Sequence, residues 1–551
     1  MSAISKKVKE RIAAENEKAP PPVPARPPLT DFQIISCATE SQEGDSVVYI
    51  AVNLGKFLYV ERWGVWMKWA GHFWQKDIGD REATAAVAKV VDEYRRAAAV
   101  LRRLLKNDTD DEDYSDGLPT PNPEISAALP TDVSMSDKTI KYHLKELGKK
   151  ISSLRTNAGR KNVVEYARTS PDDSMVIDGK EMDTSPWLLA CNNGVIDLKT
   201  GGFRPGRPDD YLTCAAPTEW TGLDTPCPIF EQYFSDILGD NNNLVGYLRR
   251  MLGQALIGKQ HEHVFLVLAG AKGRNGKDTL MNILSHVLGE TVMVPVPSEM
   301  LLDQGFAKSS GGPTPDIMLL RGRRLAYASE TDEGRKFSSS KVKWLSGGGK
   351  LTGRGNYDLE MSSWISSHTL ILLTNDLPHA KADDQAFWSR LHLVNFRYSF
   401  KPDPDPDNPF EKLIDLDMLD KLKAEASGVL AWLVRGCLEY LREGLKPPQE
   451  VTAAAAAYRA SEDIIGRFIA ECCELKEDAE IQASDLHDAF SFWYAREISR
   501  KHVFPKNKFG QLISEKGFSK HKSSVVFWQG LTITEEFNQE LCKAESSKGK
   551  K

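Results

Sequence analysis

The chain has 551 residues, 41% of them apolar, including 12 Trp and 21 Phe, enough for roughly two to four domains with sizeable cores. Its formal net charge of −6 excludes a protein that coats nucleic acid over its whole surface and leaves room only for local basic contacts. Eight cysteines without a Cys-x-x-Cys pair point to reduced structural thiols rather than a zinc site, and no apolar run reaches membrane-spanning length, so the expectation is a soluble cytoplasmic protein.

Residues 1–30 end in a stretch from Ala19 to Pro28 dominated by proline, a disordered Pro-rich lead-in. Residues 31–106 read as a small α+β, Trp-rich unit. Ser46 to Val52 and Lys56 to Val60 carry the β-branched and aromatic residues of strands. The run from Trp63 to Trp74 suits a hairpin, and Ala85 to Leu105 suits a helix. Tryptophans interleaved with Lys and Arg can stack on bases, although such hairpins more often bury them. Residues 107–136 are acidic and then Pro-rich, the composition of a linker.

Residues 137–258 form a helical collar with a β segment. A basic helix runs from Lys138 to Lys150, Asn193-Gly194 makes a tight turn between apolar runs, and Lys199-Thr-Gly-Gly makes a second. Two helices then lead from Cys227 to Gly258.

Residues 259–400 hold strand candidates at Val264–Ala269, Arg324–Ser329, His368–Thr374 and His392–Phe396, which with intervening helices imply a wound α/β core. The first runs into Gly270, Ala271, Lys272, Gly273, Arg274, Asn275, Gly276 and Lys277, followed by Asp278, Thr279 and a helix with Leu280, Ile283, Leu284 and Leu288 on one face. Strand, glycine loop, lysine and helix is the layout of a phosphate-binding P-loop. Glycines let successive amides turn onto an anion, the helix N-terminus adds positive potential, and the lysine reaches the outer phosphates. Two positions depart from the usual pattern. Ala271 stands where the first glycine is expected, and Asp278 stands where Ser or Thr ligates Mg²⁺. Thr279 is about 100° away around the helix and cannot simply substitute, whereas a carboxylate is itself a hard-cation ligand.

Hydrolysis of a nucleotide also needs an acid, a water-orienting group and a cation. Glu330 ends the second strand and can polarise water and help hold Mg²⁺, with Asp332 as runner-up. Asn375 ends the third and can bond the γ-phosphate or the water. Arg390 precedes the fourth and can act in trans. Between the acid and the amide lies a basic, glycine-rich stretch in which Lys343, Lys350 and Arg354 suit sequence-independent phosphate contacts. Any one of these alone is more often a solvated loop residue.

Residues 401–474 turn Pro-rich and then helical through Trp432 and Ala453–Ala457. Residues 475–535 give a helix capped at Ser484, a second helix closed by Gly517 and a short β wing, an arrangement like a winged helix. Residues 536–551 form a basic tail.

Together these stretches resemble the superfamily 3 helicases, specifically the phage, plasmid and poxvirus primase–helicase family, over roughly residues 55–400. The family's Asn-Gly-Val-Ile-Asp-Leu-x-Thr-Gly segment falls on Asn193 to Gly201, and its Gly-x-Asn-Gly-Lys loop on Gly273 to Lys277. Its acid falls on Glu330 and its Thr-Asn sensor on Thr374-Asn375. Its Lys-x-Leu-Thr-Gly-Gly-Asp motif matches Lys343 to Gly348 but ends in Gly349. Its Trp-Arg-Arg motif matches Trp388-Ser389-Arg390, without the first Arg. The resemblance implies an AAA+-like ATPase core using ATP and Mg²⁺, a hexameric ring with ATP between subunits, Arg390 reaching the neighbour's nucleotide, and hairpins near Lys350 pulling single-stranded or forked DNA with 3′→5′ polarity. No primase-type Asp-x-Asp set accompanies it, so a separate primase is the expected partner. The competing expectation is a ring-forming replication initiator that uses nucleotide mainly as an assembly switch.

Overall fold

The computed structural model describes residues 27–106, 135–270, 273–305, 312–329, 334–356, 361–498, 504–522 and 525–548. Helices Asp31–Thr39, Gln42–Asn53, Ala88–Lys106, Asp137–Leu154 and Asn157–Thr169 bury Ile34, Tyr49, Tyr94, Leu147 and Val163 in one core. The helices on both sides of residues 107–134 therefore pack together, and this unit extends past the boundary expected at 137. The segment Ser46 to Val52, expected as a strand, lies inside the helix Gln42–Asn53. Its Val-Val-Tyr-Ile run resembles a strand locally, but the helix is buried on several sides, and burial overrides β propensity. The hairpin Val65–Trp69 and Trp74–Lys76 forms as expected. Trp66 and Trp74 are each 1% exposed, so they are core residues rather than base-stacking platforms.

A second small sheet carries the turn at Asn193. Cys191 pairs with Gly194, so the two-residue loop is Asn192-Asn193 and Gly194 already belongs to the strand. The Asn193 side chain accepts from the Trp220 amide and donates to its carbonyl, both at 2.9 Å. Glycine at 194 serves close approach: a Cβ there would lie 2.5 Å from the Phe203 ring.

Helices α1 (Pro228–Leu238) and α2 (Asn242–Gln254) lead into the central sheet. Its strands are β1 (Phe265–Ala269), β2 (Met293–Pro295), β3 (Leu325–Ser329), β4 (Thr369–Thr374) and β5 (Leu391–Asn395), and helix α3 (Lys277–Leu288) follows β1. The order is β2-β3-β4-β1-β5, parallel throughout. Both faces are covered, as a parallel sheet requires. Leu266 and Leu268 pack with α1, α2, α3 and the later helix α4 (Ala426–Glu443). Phe265 and Val267 pack on the other side with Leu345, Phe387, Trp388 and Tyr458.

The C-terminal unit runs α5 (Ile464–Cys472), β6 (Cys473–Gln482), α6 (Ala483–Glu497), α7 (Lys506–Glu515), β7 (Lys520–Lys522), β8 (Val526–Ile533) and α8 (Glu535–Lys548). The sheet order β6-β8-β7 is antiparallel, over a core of Phe468, Phe490, Trp493, Phe509 and Trp528. Two local expectations change. Helix α6 starts at Ala483 with Gln482 as its N-cap, so Ser484 lies inside it. The tail after 535 is helical as far as Lys548.

Two histidines of the central sheet region make the chain acid-sensitive. Burial pushes His368, before β4, down to about 4, opposed by the Leu345 backbone. Burial does the same to His392 in β5, whose Nδ1 lies 2.5 Å from the Tyr247 hydroxyl. An unfolded histidine titrates near 6.5, so between pH 6.5 and 4 the unfolded chain takes up protons that the folded chain refuses. This stability is complete above pH 6.5 and is lost as pH falls towards 4, about 3 kcal/mol per site. We expect His368→Gln/His392→Gln to flatten the fall of melting temperature across that window. An unchanged slope would assign the acid sensitivity to other groups.

Candidate nucleotide and nucleic-acid site

The loop after β1 is shaped for an anion. Gly273 and Gly276 have φ of +64° and +82°, and Arg274 between them has φ of +48°, so the backbone reverses sharply before α3. Two glycines are dictated by space. A Cβ at Gly270 would fall 1.9 Å from Asn275 Nδ2, and one at Gly276 would fall 2.6 Å from Ile237 Cγ2. Asn275 is 4% exposed and its Nδ2 donates to the Gly270 carbonyl at 3.0 Å, bracing the loop across its base.

Lys277 is the first residue of α3 and is also 4% exposed. Its Nζ donates to the Gly270 carbonyl at 3.3 Å and to Asn375 Oδ1 at 3.1 Å. Both acceptors are neutral. Burial lowers the ammonium to about 8, with nearby Asp278 opposing. A buried cation facing neutral groups at a helix N-terminus is a site that an anion would stabilise.

The sheet order brings Asn375 to this lysine. Strand β4 lies beside β1 with Thr374 opposite Ala269, so Asn375 and Gly270 leave the carboxyl edge side by side. Strand β3 ends level with them, Ser329 pairing with Leu373. Glu330 and the runner-up Asp332 follow immediately but lie outside the described residues, as do Ala271 and Lys272 of the loop. Asp278 is exposed on the first turn of α3. The Thr279 hydroxyl is engaged with Tyr233, consistent with its different angular position.

Tyr233 is a positioning residue that sequence reasoning missed. Its hydroxyl donates to the Gly276 carbonyl at 2.6 Å and holds the last loop residue against α1. The available signal was the stripe Phe230, Tyr233, Phe234 and Ile237, whose spacing fits one helix face; only the hydroxyl distinguishes Tyr233 from its apolar neighbours.

The other candidate residues lie at the opposite, amino edge of the sheet. Arg390 directly precedes β5, whose first residue Leu391 pairs with Phe265. Its Nη1 donates to the Ala386 carbonyl at 2.7 Å, and its buried Nε has no partner among the described residues. Strands Lys350–Gly353 and Ser362–Ile365 form a hairpin. Its base is tied to the segment before β1, where Gln260 Oε1 accepts from the Gly348 amide at 2.8 Å and the Ser366 hydroxyl at 3.1 Å. Lys350 is exposed on this hairpin opposite Ile365, which is 60% exposed. Arg354 leaves its first strand half-buried, with backbone bonds to Thr314. Lys343 is engaged elsewhere, its Nζ bonding both Asp384 carboxylate oxygens at 2.9 and 3.2 Å. Asp384 also caps the helix Gln385–Trp388, so this lysine braces the turn ahead of Arg390.

Among the described residues no cluster of three or more His, Cys, Asp or Glu side chains could hold a metal, and no helix is long and apolar enough to cross a membrane.

Residues 50–239 match the family described as D5 N terminal like. A candidate helicase of Acanthamoeba polyphaga mimivirus is 26% identical over 368 residues, covering 64% of this chain and 37% of that protein. A candidate helicase of Invertebrate iridescent virus 3 is 24% identical, covering 61% and 38%. A candidate primase of African swine fever virus is 24% identical, covering 58% and 35%. The chain thus spans little more than a third of these relatives. Among solved structures, the C-terminal region of NrS-1 aligns at 12% identity and a TM-score of 0.36, covering 68% of this chain and 89% of that one.

Proposed function

This chain belongs to the phage and viral primase–helicase family, and from that premise we propose that it is an ATP-driven DNA helicase of superfamily 3, working as a hexameric ring in the replication of a virus, phage or other mobile element. The observation that carries the reading is the bond from Lys277 to Asn375, two residues 98 apart in sequence meeting beside a glycine loop. A P-loop nucleotidase requires this juxtaposition, because the lysine and a neighbouring strand tip must face one γ-phosphate.

In this reading the amides of residues 270–276 cradle the phosphates and Lys277 neutralises their charge. Asp278 and Glu330 are the residues that would hold Mg²⁺, which would supply charge stabilisation at the phosphates. Glu330 and Asn375 orient the attacking water. The five-stranded core is read as AAA+-like and the C-terminal unit as winged-helix-like. Lys350 and Arg354 carry the single-strand contact on the hairpin; Lys343, engaged with Asp384, supports the turn before Arg390 instead. The nucleotide and the DNA then occupy opposite edges of one rigid sheet, which lets a change at the phosphates shift the hairpin.

Asp278 in the Mg²⁺-ligand position and Gly349 in place of the family's Asp favour a second reading, a ring-forming initiator that uses ATP as an assembly switch. Purified protein with a forked duplex separates the two. The helicase reading expects ATP-dependent strand displacement and turnover stimulated by single-stranded DNA. ATP-dependent assembly on DNA with neither displacement nor stimulation would favour the switch.

A further inference from the structure

The C-terminal unit carries a charge pattern that the ATPase chemistry does not use. Between Arg500 and Lys522 the sequence has seven Lys and Arg against one acid, Glu515, in a chain of net charge −6. Of the described residues, Lys506, Lys508, Lys516, Lys520 and Lys522 are exposed. Lys516 pairs with Asp463, whereas Lys506, Lys508, Lys520 and Lys522 form no ion pair among the described residues.

The fold gathers these charges on one side. Helix α7 packs inward through Phe509 and Ile513, and Gly510 lies against Trp528 of β8, where a Cβ would sit 3.6 Å from the ring. In the β7–β8 ladder Lys520 stands opposite Trp528 and Lys522 opposite Val526. Directly paired residues share a sheet face, so both lysines lie on the face that α7 packs against. The Lys520 ammonium is 5.8 Å from the Trp528 ring centroid. The other edge strand, β6, carries exposed Glu474 and Glu477 together with Asp478 and Glu480. One edge of this sheet is therefore basic and the other acidic.

The exposed side of α7 adds Asn507, Gln511 and Ser514, at i, i+4 and i+7 and hence on one stripe; the Gln511 amide bonds Lys508 and Glu515 along the exposed helix surface, contacts that a base edge would have to displace. Lysines position a protein on phosphates without reading sequence. Side-chain amides and hydroxyls are the groups that bond base edges in a major groove. An acidic protein partner would use the lysines and leave the amide stripe idle; duplex DNA uses both.

We propose that α7 and the β7–β8 hairpin form a docking surface for duplex DNA, with α7 in the major groove and Lys520 and Lys522 on flanking phosphates, distinct from the single-strand contact at Lys350 and Arg354. The partner class rests on reading the chain as a DNA-replication protein. The test uses the full chain, a blunt duplex of about two helical turns and no nucleotide, titrated across salt concentrations. Lys508→Glu/Lys522→Glu is expected to weaken duplex binding at least tenfold and to reduce the slope of log affinity against log salt by about 2. Turnover stimulated by single-stranded DNA should change less than twofold. The wild-type chain should protect guanine N7 from methylation, and the variant should not. Unchanged duplex affinity or slope overturns the proposal. So does a parallel loss of stimulated turnover, which would put these lysines on the single-strand path, and so does binding without N7 protection. A wild-type chain that binds duplex but shows no ATP turnover would fail the helicase reading and leave this surface standing.

Discussion

Lys277→Ala is expected to lower ATP turnover at least 100-fold while the fold survives. The ammonium is the buried positive charge at the loop, and removing one preorganised charge or donor from a transition state costs roughly 10²–10³ in rate. The structural cost is small for a specific reason. The two groups it leaves are the buried Gly270 carbonyl, which keeps its bond from Asn275 Nδ2, and the exposed Asn375 amide, which water can reach. Circular dichroism and melting should therefore match the wild type. A second readout comes from titration. Burial holds the empty-site lysine at about 8, and a bound triphosphate raises it by direct charge attraction. ATP affinity should be flat below pH 8 and fall as pH rises above it, with proton uptake on binding in that range. Lys277→Arg should remove this dependence, since a guanidinium stays charged. Near-normal hydrolysis by Lys277→Ala would defeat the P-loop assignment.

Arg390→Ala should lose roughly 10³–10⁵ in turnover, the range for a stabilising arginine supplied in trans. Geometry excludes a role on its own subunit's nucleotide. Arg390 sits at the amino edge beside Phe265, whereas the glycine loop begins after Ala269 at the carboxyl edge. At about 3.3 Å per residue, roughly 15 Å of strand separates them, more than an arginine side chain spans. Its Nη1 holds the Ala386 carbonyl, which fixes the side chain at that edge. Mixing Arg390→Ala with Lys277→Ala subunits should restore measurable hydrolysis, because one variant keeps the loop and the other keeps the arginine. If no mixing ratio restores any activity, Arg390 does not act in trans.

What the sequence by itself determined is local. The strand, glycine loop and helix from Phe265 to Leu288 follow from a change of hydrophobic period at a run of glycines. The hairpin at Trp63–Trp74 and the two helices before the sheet were legible for the same reason, since turn chemistry and apolar spacing act over a few residues. Even locally, burial can overrule the pattern. Val47 to Ile50 resembles a strand, yet it forms a helix because that helix is enclosed by others. The four residues Gly270, Lys277, Asn375 and Arg390 could be named from their positions at strand ends, but not placed relative to one another.

Only the tertiary structure decided those relations. Strand β4 enters between β1 and β3 although about a hundred residues separate β4 from β1, and that insertion sets Asn375 against Lys277. The same holds for Lys343, taken up by Asp384 41 residues away, and for Tyr233, bonded to Gly276 43 residues on. Strand order and side-chain pairing at such separations depend on which faces the whole chain can bury together. That is a property of the packed core, and no window of sequence contains it.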